Sequence, residues 1–209
     1  MSFNITKTKQ KRVVIVGGGF GGLKLANELH QSGFQIILVD KNNHHQFPPL
    51  IYQVASAGLE PSSISFPFRK LFNRHQDIHF RLAEAKQIYP DRKILQTSIG
   101  NIDYDYLVLA AGTTSNFFGN KQIEEAAMPM KTLSEAMGLR NALLSNLERS
   151  ITCDTTQERR ELLNVVIVGG GATGVEIAGA IAEMKRYILP KDYPEIDHSD
   201  PVSYTHLTL

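Results

Sequence analysis

The chain has 209 residues, 42% hydrophobic and 21% charged, which is the make-up of an ordinary globular protein with material for one or two domains. Its 22 Lys+Arg balance 21 Asp+Glu, so no basic field draws it to nucleic acid, and Lys7, Lys9, Lys11 and Arg12 read as a solvated approach to a strand. One cysteine, Cys153, excludes a disulfide framework and an intrachain redox dithiol, and suits a reducing compartment.

Arg12 to Val16 is predicted as a buried parallel strand, apolar throughout as central parallel strands tend to be. Phe20 to Gln31 follows as a helix, with Leu23, Ala26, Leu29 and His30 at helical spacing and Ser32-Gly33 as its stop. Gln35 to Val39 is the second strand, closing on Asp40. Lys41 to Pro61 holds several breakers and is expected to be mainly loop. Phe68 to Asn73 reads as a short helix. Ile78 to Ala85 and Lys93 to Thr97 flank Tyr89-Pro-Asp-Arg92, which reads as a hairpin turn.

Tyr106 to Ala110 is a further buried strand, ending in Ala111-Gly112-Thr113. Thr132-Leu-Ser-Glu135 forms a capping box that opens a helix to about Ile151, expected to bury Leu133, Met137, Leu143, Leu144 and Leu147. A polar linker, Asp154 to Arg160, leads to a second strand-and-helix unit whose helix, Ala172 to about Ile188, stops at Pro190. The last stretch, 201–209, fits nothing before it and is set aside as a non-native tail. No cleavable signal is read at the N-terminus. No apolar run approaches the roughly 18 residues that span a bilayer.

One glycine pattern occurs twice. Val13-Val-Ile-Val16 runs into Gly17-Gly-Gly19-Phe-Gly-Gly22, and Val165-Val-Ile-Val168 runs into Gly169-Gly-Gly171-Ala-Thr-Gly174. Each copy of G-x-G-x-x-G follows a strand and opens a helix, the context in which it binds a dinucleotide. Gly17 permits the tight turn, Gly19 lets backbone approach a pyrophosphate, and Gly22 lets the helix pack on the strand. The helix N-terminus then faces the anion. An acid is wanted about 20 residues on, at the end of the second strand, to hold the ribose hydroxyls, and Asp40 stands there. An acid at that place argues against a 2′-phosphate but leaves NAD and FAD open.

From Lys11 to about Ile196 the chain resembles the type II NADH dehydrogenases, the single-subunit NADH:quinone oxidoreductases that do not pump protons. Three stretches carry the resemblance: Val39-Asp-Lys-Asn-Asn-His-His-Gln-Phe-Pro-Pro-Leu-Ile-Tyr-Gln-Val-Ala55, Leu107-Val-Leu-Ala-Ala-Gly-Thr-Thr-Ser-Asn-Phe-Phe-Gly119 and Gly169-Gly-Gly-Ala-Thr-Gly-Val-Glu176. The family implies an α/β fold. A Rossmann-like FAD-binding domain over 1–115 is followed by the opening βα unit of an NADH-binding domain over 116–200. It implies FAD held by Gly17, Gly19, Phe20, Gly21, Gly22, Asp40, Lys41, Ala85, Ala111, Gly112 and Thr113. NADH would be held by Gly169, Gly171, Ala172, Thr173, Gly174 and Glu176. Glu176 has two readings: a favourable charge at a helix N-terminus, or, by the resemblance, a catalytic residue near the nicotinamide and flavin. Tyr52 and Gln53 are expected along the flavin edge.

The second fingerprint lacks its acid, since Asp192, Glu195 and Asp197 follow Pro190 with no apolar strand leading to them. The sequence therefore reads as the N-terminal half of an enzyme and is expected to be inactive alone. The adjacent His44 and His45, without Cys or carboxylate spacing, read as solvent or cofactor-edge residues rather than metal ligands. No G-x-S-x-G is present, and the cysteine pair of disulfide reductases and the cysteines of sulfide:quinone reductases are missing between Asp40 and Phe66.

The resemblance implies hydride transfer from NADH to FAD and electron delivery to a membrane quinone. It also implies peripheral contact with the inner membrane face from the cytoplasm and a homodimeric parent. The alternatives are a soluble NADH:acceptor flavoprotein and, for these residues alone, a nucleotide-binding module without turnover.

Overall fold

The computed structural model describes residues 4–196 and 206–207. In chain order the first half comprises β1 (Arg12–Val16), α1 (Phe20–Glu28), β2 (Gln35–Asp40), β3 (His44–Gln46), α2 (Ile51–Ala55), β4 (Ser65–Pro67), α3 (Phe68–Leu71), β5 (Ile78–Leu82), β6 (Ala85–Tyr89), β7 (Ile94–Thr97), β8 (Gly100–Asp103) and β9 (Tyr106–Leu109). The second half comprises α4 (Lys121–Ala126), α5 (Leu133–Ser150), α6 (Thr156–Leu163), β10 (Ile167–Val168), α7 (Ala172–Glu183), a π-helical turn (Met184–Ile188), α8 (Leu189–Asp192) and β11 (His206–Leu207). The chain divides into two compact units, each discontinuous in sequence: Met1–Gln46 with Ser65–Thr114, and Phe47–Ile64 with Ser115–Leu209.

The first unit is built on a parallel sheet in the order β5-β2-β1-β9. Alternate residues of a strand face opposite sides, so a sheet covered on both faces needs strands that are apolar at every position. On one face Val14, Val16, Ile37 and Val39 pack with Leu95, Ile102 and Tyr104 from the β6-β7-β8 antiparallel sheet and its exit. On the other, Val13, Ile15, Ile36 and Leu38 meet Ala26 of α1, together with Phe68 and Phe72. This is a Rossmann-like arrangement.

Two expectations change here. Ile78–Leu82 is not the first arm of the hairpin; it runs parallel to β2 in the main sheet, and β6 pairs with β7 across Pro90–Arg92. The reason is burial, because Ile78 and Phe80 belong to the core beneath α1. Helix α1 also stops at Glu28, ahead of Gln31, whose φ of 60° cannot continue a right-handed helix.

The start of β1 is held by charge. Arg12 is buried; its guanidinium donates to Gln35 Oε1, to the Asp103 carboxylate and to the Ile5 carbonyl, while Lys7 pairs with the same carboxylate at 2.9 Å. The Asp105 carboxylate accepts from the Arg12 amide at 2.7 Å.

In the second unit Ile51, Val54 and Ala55 of α2 pack with Leu133 and Ala136 of α5 and with Ile177 and Ile181 of α7. Lys41 to Pro61 is therefore not mainly loop. Its breakers bound a five-residue helix too short for a periodic signal. Both halves of the Thr132–Glu135 capping box are formed, with Glu135 Oε2 accepting from the Thr132 amide at 2.8 Å. Along α5 the inward position falls to Ala136, and Met137 is 41% exposed instead of buried.

The polar stretch expected as a linker contains helix α6, opened by a second capping box, Thr155–Glu158. Pro190 does not end the helical run either; the run continues through it to Asp192, with Pro190 in the first turn of α8. Strand β10 is only two residues long and pairs in parallel with β11. Apart from the backbone of 206–207, the segment 201–209 lies outside the described residues, as does Asp197. Among the described residues no helix is long and apolar enough to cross a membrane.

Burial by itself would raise the Asp103 carboxyl, but the hydrogen bond from Lys7 and the nearby Arg12 charge outweigh it and hold it below the usual carboxylate range. A depressed acid stabilises the fold at pH values above its unfolded pKa, about 4, and that contribution is lost as pH falls through its folded value. Because Asp103 is half exposed, the effect is modest. Urea melts are expected to show Asp103→Asn less stable than wild type by about 1 kcal/mol or less at pH 7, with the gap closing toward pH 3.

Candidate functional site

The first glycine loop joins β1 to α1. Gly17 has φ of 101°, and a Cβ there would run into the carbonyl oxygen of Ala110 on the neighbouring chain turn. A Cβ on Gly22 would overlap the Gly17 carbonyl oxygen, so the first turn of α1 rests directly on the end of β1. Gly19 and Gly21 differ. Both are exposed, and a Cβ on either would meet no protein atom within 4 Å. Packing does not require glycine at those two places, whereas a phosphate lying against the backbone would. That open cradle at a helix N-terminus fits a dinucleotide pyrophosphate.

Asp40 lies beside the loop as expected, but its carboxylate is already engaged. Oδ2 accepts from the Gly18 amide at 2.6 Å and Oδ1 from the Asn42 amide at 2.7 Å. An ionised carboxylate has about four lone-pair directions, so both oxygens keep capacity for ribose hydroxyls. Phe20 is half exposed at the first position of α1, and Lys41 is exposed just after Asp40. The Ala111-Gly112-Thr113 turn is exposed, with Gly112 at φ of 72°; it leaves β9 next to the glycine loop, tied there by the Ala110 amide donating to the Val16 carbonyl at 2.8 Å. Ala85 opens β6, partly buried against the sheet core.

The second loop repeats the local geometry. Gly169 has φ of 112°, and a Cβ on Gly174 would overlap the Gly169 carbonyl oxygen, as in the first copy. Gly171 is open, and Ala172 and Thr173 are exposed at the start of α7. The lateral packing is not repeated, because among the described residues nothing comes within 4 Å of a Cβ on Gly169.

Within the same unit a cavity of about 500 Å³ brings Tyr52 and Gln53 of α2 together with Glu176. Gln53 Nε2 donates to the Tyr52 hydroxyl at 3.1 Å. Glu183, two helical turns beyond Glu176, lines the same cavity, as do Ser56 and Tyr187. Tyr187 belongs to the π-helical turn and stands four residues beyond Glu183, on the same helical face. Cys153 lies apart from this cavity, its thiol donating to the Arg149 carbonyl at 3.3 Å beyond the end of α5.

The two adjacent histidines, read from the sequence only as solvent or cofactor-edge residues, separate in the structure. His45, in β3, is buried and its Nδ1 lies 2.9 Å from the Gly18 carbonyl oxygen, while His44 is partly exposed beside Asn43. The fingerprint leaves Gly18 unspecified, and nothing in the linear order ties position 45 to it.

Residues 11–196 match the family model of the pyridine nucleotide-disulphide oxidoreductases. The chain belongs to that family. It is 34% identical over 193 residues to the type II NADH:quinone oxidoreductase Ndh of Mycobacterium tuberculosis, covering 90% of this chain and 42% of the relative. It is 31% identical over 204 residues to the external alternative NAD(P)H-ubiquinone oxidoreductase B3 of Arabidopsis thaliana mitochondria, covering 91% and 35%. NDH2 from Plasmodium falciparum, solved in complex with NADH, superposes with a TM-score of 0.86 at 23% identity over 95% of this chain and 42% of that one, which establishes the shared fold. The chain thus spans about two fifths of the length of these relatives.

The two kinds of glycine in the first loop separate experimentally. Gly22→Ala forces Cβ into backbone and is expected to lower unfolding stability by about 1–3 kcal/mol or more. Gly19→Ser enters open space at a helix N-cap and is expected to change it by no more than about 0.5 kcal/mol; thermal melts of both variants check this.

Proposed function

We propose that this chain is the dinucleotide-binding part of a type II NADH:quinone oxidoreductase, taking a hydride from NADH onto FAD and passing the electrons to a quinone. The observation that carries the reading is the first loop: a strand, an open pair of glycines at a helix N-terminus, and Asp40 beside them. Identity to the Mycobacterium tuberculosis enzyme supports quinone as the acceptor. A quinone resides in lipid, so the same reading includes contact with a membrane surface from the cytoplasmic side.

FAD in the first loop would supply the hydride-accepting ring and release its electrons onward. Gly17, Gly19 and Gly22 shape its phosphate cradle; Phe20, Gly21, Asp40, Lys41, Ala85 and the Ala111–Thr113 turn would line it. Gly169, Gly171, Ala172, Thr173 and Gly174 do the corresponding work for NADH, with Glu176 at the cavity that Tyr52 and Gln53 share. No protein nucleophile is needed, and Cys153 takes no part.

Two measurements test this. The purified protein is expected to be yellow, and Gly19→Val to lose the flavin absorbance while its circular dichroism stays unchanged; a colourless wild type that takes up no added FAD overturns the FAD assignment. Rapid mixing of the full-length parent enzyme with NADH is expected to bleach its flavin band, at the same rate in wild type and Cys153→Ser. Loss of bleaching after thiol alkylation would show that a cysteine participates.

A further inference from the structure

The peptide between Gly18 and Gly19 joins two residues without side chains, and rotation about its flanking bonds is the cheapest way for the loop to change shape. The structure holds it from outside the fingerprint. The Gly18 amide donates to Asp40, a Cβ on Gly18 would collide with the Phe68 ring, and the Gly18 carbonyl accepts from His45. His45 is only 7% exposed. It sits mid-strand opposite Phe66 in the β3–β4 ladder, and its ring lies 5.6 Å from that of Phe20.

A carbonyl oxygen can only accept, so the hydrogen of this contact belongs to His45 Nδ1. In a planar trans peptide the C=O and the following N–H point in opposite directions. Anchoring the Gly18 carbonyl on the buried His45 therefore turns the Gly19 N–H the other way, away from the imidazole. A flipped peptide would aim the carbonyl there instead, a negative dipole end where an anion has to lie.

We infer that His45 is a positioning residue of the first dinucleotide site: by donating from Nδ1 to the Gly18 carbonyl it fixes the direction of the Gly19 amide, and with it the affinity for the pyrophosphate. The inference rests on the reading of that loop as a dinucleotide cradle.

The test uses FAD as the probe on the purified chain and on three variants. Asparagine carries its N–H at the place of histidine Nδ1, glutamine reaches one bond further, and phenylalanine keeps the ring without a donor. Titration followed by flavin fluorescence is expected to give His45→Asn a Kd within about twofold of wild type. His45→Gln and His45→Phe are expected to bind about fivefold to tenfold more weakly, the loss that one hydrogen bond of about 1 kcal/mol predicts. Nδ1 of His30 and of His44 also faces an oxygen acceptor, on Asp77 and Asn43, so nitrogen-15 spectra of histidine-labelled protein are expected to show one Nδ1–H ring signal that disappears in every variant at position 45 while the others stay.

Equal FAD affinity in wild type, His45→Phe and His45→Gln overturns the inference and leaves the cradle standing. Nδ1–H signals that all survive substitution of position 45 also overturn it. A wild type that binds no FAD removes the cradle and the inference together. Should His45→Phe fail to fold, the asparagine and glutamine pair decides.

Discussion

The constraint on which this protein is organised is the contact between one backbone carbonyl and the helix that follows it. In both units a glycine three residues into the fingerprint's second half lies against the carbonyl of its first, Gly22 on Gly17 and Gly174 on Gly169. No side chain of any size fits between them. The contact sets the angle at which α1 leaves β1 and α7 leaves β10, and so fixes where each helix presents its unpaired amides. The aim of the helix dipole at a phosphate is a consequence of that packing.

The two copies diverge in what surrounds them. Gly17 is wedged against the Ala110 carbonyl because β9 runs beside β1, and Gly18 is held by Asp40, His45 and Phe68. Gly169 has no such neighbour among the described residues, and β10 contributes only two residues to its ladder. An identical motif therefore sits in a rigid frame in one unit and in a sparse one in the other. The motif specifies the turn, while rigidity comes from residues that the motif does not contain.

What the sequence revealed followed from local chemistry. Arg12–Val16 and Gln35–Asp40 are legible because strands covered on both faces must be apolar at each position, and Thr132–Glu135 because a capping box is a contiguous signal. Asp40 was found by its distance from the glycines. The failures are non-local. Ile78–Leu82 reads equally well as a hairpin arm or a parallel strand until its partner is known, and helix α2 is fixed by Ile51, Val54 and Ala55 meeting residues 80 to 130 positions later. His45 was noticed as one of a histidine pair, but its carbonyl partner 27 residues earlier was out of reach of pattern. Tyr187 stands on the helical face that Glu176 and Glu183 mark, but nothing local says that Tyr52 and Gln53 share the cavity with that face.

The interleaving of the two units carries a consequence for synthesis on the ribosome. Strands β3 and β4 pair within the first unit, Gln46 opposite Ser65, while the segment looped out between them belongs to the second. Closing a loop of that size costs only a few kcal/mol of chain entropy, growing as the logarithm of its length, so the first unit is able to condense as soon as β9 emerges. The apolar face of α2 must then wait uncovered while α5 and, later, α7 are translated. For that interval a nearly finished domain displays a greasy five-residue helix, the kind of surface that chaperones retain and that aggregates recruit.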